Sequence, residues 1–215
     1  MSNGTFDLNL FLKESKETLL NPKSYFSAMK TAGGMVEPLI KAVIYGALAG
    51  FIYMLWGFLK IGAAGFGFFG GAVGIMALIG TLIGAVIGLF IGAVIMLVIS
   101  AICKGNTDFE ANLRVTASVM VIMPVSALLS FMMGINLTLG IVVSILVSLY
   151  SLWLIYNGLT ASLKASESTA KIVVIVLAVI IVLFSITSIT ASRKASKFLK
   201  EYNKDARELL KDLQQ

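Results

Sequence analysis

Residues 61–103 form a run of 43 amino acids without one charged side chain. Wound as a single α-helix, such a run measures ~65 Å at 1.5 Å per residue, whereas the hydrocarbon core of a bilayer is only ~30 Å thick. The segment therefore belongs in lipid, yet cannot cross it as one straight span. Gly62, Gly65, Gly67, Gly70 and Gly71 disfavour a helix interior. The break is expected at 62–71, leaving 72–103 as a long span that tilts or extends beyond the lipid. Composition extends the conclusion to the whole chain: 58% of its residues are hydrophobic and only 13% are charged, about half the share found in soluble domains.

Other runs have spanning length. Residues 38–59 read as a first span, in which Lys41 can snorkel and pair with Glu37 one turn earlier. Tyr53 and Trp56 suit the opposite interface, and Ala42, Gly46 and Gly50 form a ridge of small residues along this span. A polar connector, 104–114, precedes a third span at 115–133 with Pro124 at its middle. Proline there removes one backbone hydrogen bond and predicts a kink. The uncharged turn 134–138 makes spans three and four a hairpin, with span four at 139–163. Residues 164–171 connect to a Val- and Ile-rich fifth span, 172–190. The predicted fold is an all-α polytopic membrane helix bundle with five transmembrane helices over 37–191. It is flanked by an amphipathic N-terminal region, 1–36, and an amphipathic basic C-terminal helix, 192–215.

At the N-terminus, Leu8, Phe11, Leu12 and Leu19 share a helical face. Asn21-Pro22 reads as an N-cap with proline at the first helical position, and Gly33-Gly34 as the end of a second short helix. Two interfacial helices lying on the membrane are expected here, a loosely ordered polar terminus being the alternative. Lys13, Glu14, Lys16, Glu17, Lys23 and Lys30 interrupt the segment, so no cleavable signal peptide is expected. The net charge of +6 comes from residues flanking apolar runs. It points to anionic lipid headgroups and not to nucleic acid.

Five spans with the N-terminus inside place nine basic residues inside and eight outside, counting Lys60 and seven in the tail. Splitting 61–103 into a hairpin gives six spans and a score of twelve against five, which the positive-inside rule prefers. Residues 75–103 offer no polar turn chemistry, and five spans remain the expectation.

The most specific spacing in the chain is Gly80, Gly84, Gly88 and Gly92, four residues apart throughout. Each lets another backbone approach where lipid supplies no hydrophobic drive between helices. Packing inside one protomer, onto Ala42, Gly46 and Gly50, is favoured over a homo-oligomer seam or a pore-lining face. In span four Gly140, Ser144, Ser148 and Ser151 share one side, and Tyr150 and Asn157 another. Such groups can touch a polar solute, but bonding between neighbouring helices is the favoured reading. Cys103, the single cysteine, excludes an intramolecular disulfide. It is expected to be an inert buried hydrophobe, palmitoylation being the alternative.

Two stretches carry a family resemblance. Gly105-Asn106-Thr107-Asp108-Phe109-Glu110-Ala111-Asn112-Leu113-Arg114, followed by VTASVMVIMP ending at Pro124, resembles the entry to the third span of the Yip1 domain. YSLWLIYNGL, which contains Gly158, and the polar turn with Ser168, Thr169 and Lys171 resemble the family's closing two helices. Asn21-Pro22 through Phe26, then Glu37-Pro38-Leu39, is similar to its entry into the first span. The likeness covers about 20–190. Ile172 stands where the family often has alanine, and the aspartate-leucine-tyrosine-glycine-proline signature of eukaryotic members is missing, which points to a prokaryotic branch. The resemblance implies a five-helix membrane domain with a cytosolic N-terminus. Eukaryotic members are associated with Rab GTPases and vesicle formation, machinery that prokaryotes lack, so the resemblance implies an architecture more than a task.

Function classes narrow by absence. With no histidine in the chain, His-based proton shuttling, HExxH metalloprotease chemistry and a Ser-His triad are unavailable. No carboxylate lies deep in a span, which disfavours proton- or sodium-coupled transport. GFGFFGG lacks the Lys-Ser/Thr ending of a phosphate loop. No catalytic residue, cofactor or metal site is expected. The sequence is that of a non-enzymatic scaffold or adaptor in membrane organisation, in the plasma (inner) membrane, with a homo-oligomer or membrane-protein partner. A small-solute or ion channel or transporter is the alternative.

Overall fold

The computed structural model describes residues 7–59, 70–185 and 187. Asp7 caps the first helix, α1 (Leu8–Leu20), by accepting from the backbone N–H groups of Asn9 and Leu10 at 2.8 and 3.1 Å. Helix α2 (Pro22–Ala28) starts on Pro22, whose missing N–H costs nothing in a first turn. It ends well before Gly33-Gly34, where both glycines take positive φ, 139° and 94°. The two glycines steer the chain into α3 (Val36–Phe58) instead of closing α2. Helix α4 (Gly70–Ile102) runs unbroken for 33 residues, ~50 Å of helix, so residues 75–103 hold no hairpin. The expected break at 62–71 lies almost wholly outside the described residues, as does the tail 192–215.

The third span begins six residues earlier than the sequence reading places it. Asp108 caps α5 (Phe109–Val119) through Ala111 N at 2.8 Å, so Glu110, Asn112 and Arg114 belong to a helix and not to a connector. Every residue of 111–119 is buried; α5 is the central helix, covered by neighbours on its whole circumference. Its polar side chains are bonded internally, Thr116 Oγ1 to Asn112 O at 2.8 Å and Ser118 Oγ to Arg114 O at 3.0 Å. Pro124 interrupts the span in the turn before it, at 120–121. Its absent N–H leaves the Met120 carbonyl without its usual partner, and Met123 N donates there instead at 2.9 Å. Helices α6 (Ile122–Leu129) and α7 (Met132–Ile135) complete the span.

Asn136 turns the chain at 134–138 and caps α8 (Leu137–Asn157), accepting from Thr138 and Leu139. A π turn, Gly158–Ser162, closes α8. The last described helix, α9 (Glu167–Ser185), shows most of its Ile, Val and Leu side chains outward. Five helical segments are long and apolar enough to cross a bilayer. Helix α3 packs most extensively on α4, where α4 turns Ala85, Leu89, Ala93 and Met96 inward. At one end of the bundle α1 and α2 form a cap. Beneath it the connectors 103–108 and 163–166 clasp each other, Asn106 N to Leu163 O at 2.7 Å and Ser166 N to Cys103 O at 2.8 Å.

Candidate functional site

Among the described residues, charge is gathered at one end: every Lys, Arg, Asp and Glu lies in the cap or the loop 29–35 that leaves it, in the connectors beneath it, or in the first two turns of α3, α5 or α9. The turn 134–138 at the opposite end carries none. The sequence brings α3 and α5 into the cap region with the same device, an acid four residues ahead of a base: Glu37 with Lys41, and Glu110 with Arg114. Such a pair lies along one helix face.

Folding cross-links the two pairs and adds a third element. Lys41 Nζ sits 2.9 Å from Glu37 and 2.7 Å from Glu14 of α1, and donates to Tyr25 of α2 at 3.4 Å. Arg114 reaches Glu37 at 2.9 Å, Glu110 at 3.2 Å and the Gly34 carbonyl at 2.9 Å. Both cationic side chains are less than a tenth exposed. Lys41 thus makes the predicted pair with Glu37 but does not snorkel to water, because Glu14 covers it. The Tyr25 hydroxyl continues the network to Ser118 at 2.9 Å. Close by, Ser15 and Tyr45 pair at 2.7 Å, and Phe11 leans on the Tyr45 ring with centroids 5.2 Å apart.

Gly33 and Gly34 explain themselves here. Gly34 N donates to Glu110 at 2.6 Å, and a Cβ on Gly33 would stand 2.9 Å from the Arg114 guanidinium. The loop has to press its backbone on that side chain, which glycine alone permits at positive φ. A cavity of about 440 Å³ opens beside the network, lined by Lys13, Glu17 and Lys30 together with Glu14, Lys41 and Arg114. Held between carboxylates, the two buried cations are committed to fastening α1, α3 and α5 together. No cluster of three or more potential metal ligands occurs among the described residues.

The residues singled out from the sequence fall into three groups. Arg114 belongs to the network. Gly105 and Gly158 mark close approaches: a Cβ on Gly105 would lie 2.6 Å from Ser100 Oγ, and one on Gly158 2.5 Å from Val115. Phe109 packs beside the small cluster of Ala42, Leu89, Ala93, Leu113 and Ala117, Pro124 marks the interruption, and Lys171 is exposed. In the third group, Ala42 is fully buried, and Gly46 and Gly50 meet α4 at Ala85, Thr81 and Leu78. Gly80, Gly84 and Gly88 do not take part in that seam; a Cβ on any of them would meet nothing within 4 Å. Gly92 alone of the four abuts a neighbour, Thr116 at 2.9 Å. In span four, Tyr150 bonds the Leu19 carbonyl of the cap and so ties two elements together, whereas Asn157 bonds the Trp153 carbonyl one turn back in its own helix.

Of the network's members the sequence pairs Glu37 with Lys41 but gives Glu14, Tyr25 and Glu110 no role beside them. The repeated acid-to-base spacing at the head of two spans was the available signal. Nothing local announces that Glu14, 27 positions ahead of Lys41, completes the set.

An all-α bundle with five apolar spans, the charge of its described residues gathered at one end, defines a polytopic integral membrane protein. Within that class, the family model for the Yip1 domain matches residues 16–189, and the chain belongs to the Yip1 domain family. No curated protein and no solved structure matches it.

Proposed function

We propose that this protein is a non-enzymatic scaffold or adaptor of the plasma (inner) membrane, working through its cap on the cytoplasmic side. One observation carries the reading: the described charge is gathered at one end, where the cap is held to the bundle by the Glu14–Lys41 ion pair and by the Tyr25–Ser118 and Ser15–Tyr45 hydrogen bonds. A fixed, two-helix platform of this kind offers partners a constant surface. Lys13, Lys16 and Lys23 are exposed on it beside the outward Leu8, Leu10, Leu12 and Leu20, a combination suited to anionic headgroups and to the helix of a partner. We place the cap on the cytoplasmic side because its exposed lysines have no counterpart at the far turn 134–138 among the described residues.

Affinity purification of the tagged full chain from mild detergent, with crosslinking before solubilisation, tests the proposal. The expected result is a reproducible partner or self-association, diminished when Lys13, Lys16 and Lys23 are replaced by glutamate. Recovery of neither would refute it. A channel or transporter would show itself as flux from liposomes loaded with common ions or osmolytes, and no such flux is expected.

A further inference from the structure

Away from the cap, two adjoining cavities of about 260 and 400 Å³ lie among α3, α6, α8 and α9, sharing Tyr53, Ser126 and Val147 in their walls. Their position is within the apolar spans, and no charged residue lines either one. Hydroxyl groups arrive from three helices: Tyr53 from α3, Ser126 from α6, and Ser144, Ser148 and Ser151 from α8. Ser148 bonds the Ser144 carbonyl at 2.9 Å. The side-chain hydroxyls of Tyr53, Ser126, Ser144 and Ser151 make no hydrogen bond among the described residues. A hydroxyl without a partner in a hydrocarbon setting costs free energy that a hydrogen-bonding occupant would recover.

The chemistry of the walls narrows what that is. With no charge present, an ionic headgroup would be desolvated without a counter-charge. The remaining walls are apolar, among them Ile122, Met123, Leu152 and Ile181, so a free polyol would leave most of its own hydroxyls facing hydrocarbon. An alkyl chain carrying a few hydroxyl or ester groups satisfies both surfaces, and the larger cavity, which the smaller one adjoins, falls in the range of small-ligand sites. We propose that this cleft binds a neutral, hydroxyl-bearing glycerolipid of the monoacylglycerol or diacylglycerol type, its chain on the apolar wall and its glycerol on the serine row. This site is separate from the cap and does not depend on the adaptor reading.

Trp56 supplies a reporter. It lines the cleft, and its indole N–H is fixed to the Ala127 carbonyl at 3.0 Å. The other of the two tryptophans, Trp153, faces outward, so the Trp153→Phe variant leaves Trp56 alone. The full chain in phosphatidylcholine nanodiscs is titrated with chain-brominated monoacylglycerol, and brominated phosphatidylcholine at equal mole fraction gives the background. Saturable quenching beyond that background is expected. It should be reversed by unlabelled monoacylglycerol and weakened about tenfold, the equivalent of 1.4 kcal/mol, when Ser126, Ser144 and Ser151 are all changed to alanine. Unaltered helicity and melting temperature establish that this variant folds; if it does not, Tyr53→Phe is expected to weaken the quenching in its place. Quenching no stronger than background, or the same in the folded hydroxyl variants, overturns the site. Reversal by free glycerol overturns the lipid assignment in favour of a small polyol.

Discussion

Lys41 keeps its charge where water barely reaches, and two carboxylates from different helices make that tolerable. Removing one partner of a buried ion pair is costly because the other is left uncompensated. Lys41→Met should therefore destabilise the protein by about 3 kcal/mol, the lower end for such losses, because Glu37 stays half-exposed and can turn to solvent. Adding Glu14→Gln should recover part of this, as the stranded carboxylate disappears. Thermal unfolding in detergent, followed by helicity, reads both. The network was half legible in the sequence: Glu37 with Lys41 is a one-turn pair, whereas Glu14 and Tyr25 arrive through the folding of the cap and leave no local trace. Cys103 makes a second residue-scale case. Its fully buried side chain raises the thiol above its ordinary value, of ~8.5. The sign follows directly: a thiol raised in the folded state contributes stability that is complete below that value and lost as pH climbs through it. Stability should fall above about pH 8.5, and Cys103→Ala should flatten that decline. Alkylation at neutral pH should also be about tenfold slower in the folded protein than in the unfolded chain.

Helices α3 and α4 show why spacing alone misled for half of the glycine pattern. Every face of α4 is apolar, so the sequence specifies that it spans but not which face turns inward; the glycine spacing was the only periodic signal, and it faces out at Gly80, Gly84 and Gly88. The seam is made by Gly46 and Gly50: a Cβ on Gly46 would stand 2.5 Å from the Ala85 Cβ, and one on Gly50 would run into Thr81 and stand 2.9 Å from the Leu78 Cα. Gly46→Ala and Gly50→Ala should each cost about 1–3 kcal/mol by overpacking. At Gly84 or Gly88 the same change should be neutral or stabilising by up to about 1 kcal/mol, from helix propensity alone. Comparative melting of the four variants decides this; equal losses at all four would mean that the outward face of α4 is itself packed. The spans were legible because hydropathy and length fix them, and so was the interruption at Pro124. The head of α5 was not, since Glu110, Asn112 and Arg114 read as a polar connector until burial among α1, α3 and α4 is known.

Across the whole molecule, five spans require the cap and both connectors to share one side of the membrane while 134–138 and the end of α9 share the other. The structure separates charge in the same way, with nine Lys and Arg among the described residues at the cap end and none at the far turn. Lys60 and the basic tail lie beyond the described residues, and their pull toward the cytoplasm opposes this orientation in the positive-inside count. Lys41 and Arg114 are neutralised inside the protein and drop out as free anchors, so the expected orientation rests on the exposed lysines of the cap and is read by labelling. In a Cys103→Ala background, Thr107→Cys and Thr138→Cys place single thiols on the exposed connector and the exposed far turn. An impermeant maleimide applied to sealed vesicles of known orientation should label Thr107→Cys from the cytoplasmic face alone and Thr138→Cys from the other alone. A reporter fused after Gln215 should report the side of Thr138→Cys, since α9 leaves the cap end and an odd number of crossings returns the chain to the opposite side. A reporter on the cap side instead would place a sixth crossing in the chain, and labelling of both thiols from one face would break the hairpin of spans three and four.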